Sequence, residues 1–251
     1  SYVIPDRERF RRLVRTELAR AREKYGKLDE EIAAAENAEE QKIYADNLMT
    51  YQYQYQDHAD AEITVANIYS ESGEELTIPL DRRHTIIQNM QAYYKKYDKL
   101  KRARTLLAVQ QERCAASIRH LESIEASLEV STRLAEIAEI EDELITAGYL
   151  HEKLPKRSKD RRAQPFTFTA PDGTRILVGK NNTQNDALTF KTAAPSDIWL
   201  HVRDIPGSHV VLRTGGAPVA DETLHLAAQL AAHFSKARGS SNVPVDYTGI
   251  R

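Results

Sequence analysis

Few folds can accommodate the heptad seam that runs from Ile86 to Leu128. Ile86, Met90, Tyr93, Tyr97, Leu100, Arg104, Leu107, Gln111, Cys114, Ile118, Leu121, Glu125 and Leu128 alternate in steps of four and three, and ten of the thirteen are apolar or aromatic. A helix that keeps such a stripe for this long needs a long partner. Val14, Leu18, Ala21, Tyr25, Leu28, Ile32 and Ala35 repeat the same spacing, and that helix continues less regularly through Ile43, Leu48 and Met49 to about Gln56. Between the two lie Ile63, Val65 and Ile68, a Ser72-Gly73 turn signal and the run Leu76 to Ile78, which together predict a small β-hairpin. Thr85 with Gln88 three residues on predicts the capping box of the second helix. The two seams match in length and are joined by a short insert. They are therefore expected to pair antiparallel within one chain, as an arm of about 75 Å, with the hairpin at its tip and the chain a monomer. A coiled coil that dimerises is the competing arrangement.

Past a second, shorter periodic stretch (Val130, Leu134, Ile137, Leu144) and the basic run Lys153 to Arg162, the pattern changes. Phe166-Thr167-Phe168 and Arg175 to Val178 flank Pro171-Asp172-Gly173, and Ile198 to Val202 and His209 to Leu212 flank Pro206-Gly207. Each pair reads as a hairpin. Asp221 to Ala237 reads as a helix with acids in its first turn, and Val243 to Tyr247 as a last strand. The expected class is α+β: 1–57 and 80–150 an antiparallel coiled-coil arm, 58–79 a β-hairpin insert at its tip, 151–163 a basic linker, and 164–251 a compact α+β domain that stops early.

Charge narrows the possible partners. The 35 Lys and Arg nearly balance 37 Asp and Glu, which does not resemble a purely electrostatic nucleic-acid binder. The charges are segregated, however. Eight bases lie between Arg7 and Lys24, and Lys95 to Arg104 holds six bases (among them Lys95, Lys96, Lys99, Lys101 and Arg102) and one acid. Such blocks are either solvated helix faces or a surface for an anionic partner. A single cysteine, Cys114, excludes an internal disulfide framework and a Cys-based zinc site. No apolar run approaches the roughly 20 residues of a membrane span, and no signal-peptide pattern opens the chain. The expected location is the cytoplasm, with no membrane partner. A chain that begins with Ser1 rather than Met reads as a piece of a longer protein.

The segment DIWLHVRDIPGSHVV, residues 197 to 211, is the most informative. Strand alternation sends Ile198, Leu200 and Val202 to one face and Asp197, Trp199, His201 and Arg203 to the other. The second face then holds an aromatic plate, an imidazole, a planar cation and a carboxylate, with Ser208 and His209 following on the next arm. Bases stack on Trp, and Arg reaches phosphate. Trp199 is either such a platform or an ordinary core residue. A metal on His201 and His209 lacks a third ligand at any recognisable spacing. GKNNTQND, residues 179 to 186, gathers Lys180, Asn181, Asn182, Gln184 and Asn185 as groups able to reach phosphate, ribose or base edges; a bare Asn-rich turn is the competing reading. No nucleophile–base pair, P-loop or dinucleotide fingerprint is present. The chain is expected to be no enzyme, and to use neither cofactor nor metal.

Together these two segments, and ADETLHLAAQLAAHFSKARGSSNVPVDYT after them, closely resemble the NFACT-R domain. GEELTIPLD and AYYKKYDKLKRA resemble the middle and second coiled-coil portions of the same family, the NFACT proteins that include bacterial RqcH and eukaryotic NEMF and were long labelled fibronectin-binding protein A-like. The resemblance implies a ribosome-associated quality-control factor. Its partners would be large ribosomal subunits obstructed by peptidyl-tRNA, their rRNA, and aminoacyl-tRNA recruited for an untemplated alanine tail. It also implies that the family's Asp-Trp-Arg group, tied to ribosome binding, falls on Asp197, Trp199 and Arg203. The family's N-terminal NFACT-N and helix-hairpin-helix regions, used for tRNA, are expected to be missing, so this stretch alone is not expected to support tailing. The rival function, from the older label, is a fibronectin-binding surface adhesin; no secretion signal, repeat or sorting motif favours it.

Overall fold

A computed structural model describes residues 3–57, 60–151 and 163–250. The basic run from Lys153 to Arg162 lies outside the described residues. Two compact units emerge, Ser1–Arg22 with Ala116–Arg251, and Glu23–Ala115.

The chain opens with helices α1 (Val3–Ala35) and α2 (Ala38–Tyr51), separated by a turn at Glu36 and Asn37 where one less regular helix was expected. Strands β1 (Glu62–Ala66) and β2 (Glu75–Pro79) follow, then α3 (Ile86–Val130) and α4 (Leu134–Thr146). In the second unit β1 pairs antiparallel with β2. Their buried Ile63, Val65 and Ile78 pack with Leu48 of α2 and Ile86 at the start of α3. The α3 capping box is present: Gln88 N–H donates to Thr85 Oγ1 at 3.2 Å and Thr85 N–H to Gln88 Oε1 at 2.9 Å. Asn89 is buried because its amide accepts from Asp81 N–H and donates to the carbonyls of Asp81, His84 and Thr85, satisfying the turn that launches the helix.

Two of the cores in the first unit position the site. In one, Phe10, Val14 and Leu18 of α1 bury against Leu121, Ile124 and Leu128 of α3 and Ile137, Ile140 and Leu144 of α4. Arg15 pairs with Glu125 and Arg22 with Glu122, so the two helices run antiparallel here. The expected seam through Glu125 is displaced to Ile124. A carboxylate at the buried position would be desolvated, whereas off the seam it meets Arg15 and Lys236. The other core belongs to a five-stranded antiparallel sheet of β3 (Phe166–Thr169), β4 (Arg175–Val178), β5 (Ile198–Val202), β6 (Val210–Arg213) and β7 (Val245–Gly249), in the order β3-β4-β6-β5-β7. Helix α6 (Asp221–His233) covers one face, over Ile176, Val178, Leu200, Val202, Val210 and Leu212. The opposite face is partly covered by a short helix α5 (Asn182–Ala187) and a π turn (Leu188–Thr192), through Leu188.

Candidate functional site

Register places three rows of side chains on the face away from α6. Thr169, Arg175, Arg213 and Asp197 form the first. Thr167, Leu177, Val211, Trp199 and Thr248 form the second. Gly179, His209, His201 and Asp246 form the third. Strand alternation thus gives β5 the two faces expected of it, with Leu200 and Val202 in the α6 core.

Trp199 is not a bare plate. Its indole is half-buried against Leu177, Leu188, Val211 and Ala193. The ring stacks on His201 at 5.8 Å between centroids and meets His209 edge-on at 5.2 Å. Its Nε1 is buried with no acceptor among the described residues, which takes back part of what the apolar contacts contribute. Trp199→Ala is therefore expected to cost about 2–3 kcal/mol, below the ~3–5 of a fully buried, well-satisfied aromatic. Urea titration checks this; a loss under about 0.5 kcal/mol would make the ring a free surface.

His209 Nδ1 lies 2.7 Å from Thr189 Oγ1, and its backbone N–H donates to Asn185 Oδ1 at 3.0 Å. Burial first, and then the neighbouring His201, pull His209 down to about 4. Burial likewise lowers His201, against smaller upward pulls from backbone groups and Asp246. Both rings are neutral near pH 7, and among the described residues no group of three His, Cys, Asp or Glu is placed to hold a metal. Arg203 is exposed, but its guanidinium is engaged by Asp246, 2.9 Å from Nε. Asp197 is 1% exposed. Its oxygens accept from Ala194 N–H at 2.8 Å and Thr214 N–H at 3.0 Å, and Arg213 Nε lies 2.9 Å from Oδ2. Its carboxylate is thus held inside the protein, where an outward-facing group was expected. Ser208 is also buried.

The side chains of the amide-rich segment are largely engaged within the protein. Asn181 caps α5 by accepting from Gln184 N–H. Lys180, 6% exposed, places Nζ 2.6 Å from Oε1 of Glu136, itself 1% exposed, and 4.3 Å from the centre of the Phe166 ring. Asn181 and Gln184 donate to Glu139, and Asn182 donates to Glu143 and Ser123. Glu136, Glu139 and Glu143 share one face of α4. Asn185 ties α5 to the end of β6 by accepting His209 N–H. These side chains clasp the sheet to α3 and α4. Gly179 is required here, since a Cβ would stand 2.1 Å from Asn185 Oδ1.

Sequence reasoning passed over Arg175, Arg213 and Phe190. The last is 79% exposed on the π turn that Leu188 anchors. The charges of Arg175 and Arg213 were legible, but their adjacency depends on β4 pairing with β6, a strand further along the chain.

Two family models match the chain: NFACT N-terminal and middle domains over residues 4–163, and the NFACT protein RNA binding domain over 164–250. The proteins called Rqc2 homolog RqcH of Bacillus subtilis and Streptococcus suis are 39% and 44% identical to it, over 98% and 93% of this chain. The chain spans 42% and 41% of their lengths. The solved C-terminal part of the fibronectin/fibrinogen-binding protein from Streptococcus suis is similar over all of this chain and 85% of its own, at 36% identity and a TM-score of 0.72.

Proposed function

The chain belongs to the NFACT family and carries its RNA-binding domain, and from that premise we propose that it is the part of a ribosome-associated quality-control factor that engages obstructed large ribosomal subunits through RNA. One observation carries the reading: within the matched RNA-binding domain, the sheet face away from α6 carries Arg175, Arg213, Trp199 and His201, and the π turn packed over part of that face exposes Phe190. Planar cations and aromatic rings on one rigid face suit phosphate and unstacked bases. No catalytic role is assigned to any residue. In the whole protein, of which this chain matches about two-fifths, the reading extends to peptidyl-tRNA on the subunit and to aminoacyl-tRNA recruited for alanine tailing.

We infer further that α1 and α3 form an antiparallel coiled-coil arm carrying the β1–β2 hairpin at its tip, and that the arm contributes phosphate contacts. Lys95, Lys96, Lys99, Lys101 and Arg102 are all exposed on α3, and among the described residues none of them pairs with a carboxylate. Such unpaired cations fit an anionic partner better than a self-compensated solvated face.

Sedimentation of the chain with purified large subunits across a salt series tests both statements. Binding should weaken steeply with salt as counterions are released. Replacing the five α3 cations by Gln should flatten that dependence, by about 0.7–0.9 in log–log slope for each phosphate that is no longer neutralised, at unchanged helicity. An unchanged slope returns the run to a solvated face. No cosedimentation, with saturable binding to immobilised fibronectin instead, overturns the ribosomal reading in favour of the adhesin.

A further inference from the structure

We propose that Arg175 and Arg213 form a phosphodiester-binding site at the Asp197 end of the exposed sheet face, with Asp197 as the residue that positions Arg213. This rests on the RNA-binding reading and names the group that reading requires.

The two arginines are direct cross-strand partners, Arg175 opening β4 and Arg213 closing β6. Both strands are interior to the sheet, so neither side chain has an edge to escape over. Opposed residues of an antiparallel pair hold their Cβ atoms about 4.5–5.5 Å apart, and like charges so placed are destabilising. A sheet built only for stability would put a carboxylate in one of these positions.

The row offers one carboxylate, Asp197, and its geometry is informative. Asp197 is buried and fixed by the N–H groups of Ala194 and Thr214. Its contact with Arg213 is made through Nε, at 2.9 Å. The Nη groups of Arg213 have no acceptor among the described residues, although the guanidinium is held at its inner edge. Arg175 is exposed and has no acceptor at all among them. Thr169, exposed on β3 directly opposite Arg175, adds a hydroxyl.

One arginine braced from behind and one free beside it present two donor forks to the same space. Forks of this kind match the oxygens of a phosphate, and an ammonium group would not reproduce them. The like-charge cost in the free protein is relieved when the phosphodiester arrives. Phe190 leaves the covering segment two residues after Leu188, which sits on the next row, Leu177 and Val211. An exposed ring on the segment packed over the neighbouring row favours a nucleotide over an acidic peptide.

The test uses the full chain, a fluorescein-labelled oligouridine RNA and a salt series, because a phosphate contact is blind to sequence. Arg175→Gln should weaken binding and lower the slope of log K against log salt by about 1. Its melting temperature, followed by the single tryptophan, should be unchanged or slightly raised, since a repulsion has been removed. Arg175→Lys should restore most of the slope without restoring full affinity. If the chain binds the RNA and Arg175→Gln alters neither affinity nor slope, the site is overturned and the RNA-binding reading stands. If the unmodified chain does not bind the RNA at low salt, both fall.

Discussion

Lys180→Met is expected to destabilise the unit that holds the sheet by about 3–5 kcal/mol, the usual cost of leaving one member of a buried ion pair without its partner. The pair is Lys180 with Glu136, at 2.6 Å and all but sealed from solvent. Burial alone would push the Glu136 carboxyl up. Lys180, together with the N–H groups of Thr132 and Arg133, outweighs that and keeps it below its ordinary value. With the lysine gone, the charge must stay buried without its countercharge or take up a proton. Adding Glu136→Gln should recover a large part of the loss, because the amide oxygen still accepts from Thr132 and Arg133 while carrying no charge. Urea unfolding followed by Trp199 fluorescence reads both variants. A loss below about 1 kcal/mol for Lys180→Met, the range of exposed pairs, would mean that water reaches the pair.

Acidification should destabilise the same sheet through His209 and His201. An unfolded histidine titrates near 6.5, whereas folded His209 is held down to about 4, by burial first and then by the neighbouring His201. As pH falls from about 6.5, the unfolded chain takes its proton before the folded one. The contribution is therefore complete above about 6.5 and is lost progressively toward about 4. For His209 the linked loss amounts to at most about 3 kcal/mol. Unfolding midpoints between about pH 7 and about pH 5 measure the slope, and His209→Gln should flatten it. An equal slope in that variant would assign the effect to other groups.

Much of the architecture was legible because periodicity is local. The four-three spacing from Ile86 places one continuous helix, and Thr85 with Gln88 marks its start. Alternation assigned the two faces of β5 correctly, and the turn residues Pro171-Asp172-Gly173 mark the β3–β4 hairpin. The site was less legible. GKNNTQND reads as polar and therefore exposed, but three glutamates of α4, some 40 positions back along the chain, take up its donors. Asp197 reads as a surface acid on Trp199's face, but Ala194 and Thr214 turn it inward.

The kind and order of elements and the strand faces follow from residue spacing within single segments, and the family is identified from the resemblance of whole motifs such as DIWLHVRDIPGSHVV, so the amino-acid order was enough for them. Which polar groups remain available to a partner is settled by the assembled fold alone. Strand β6 lies between β4 and β5, which brings Arg175 beside Arg213. Helix α4 lies against α5, which consumes Lys180 and its neighbouring amides. A hydrogen bond or a repulsion belongs to two residues at once. Where those residues come from non-consecutive elements, no local pattern records that they meet.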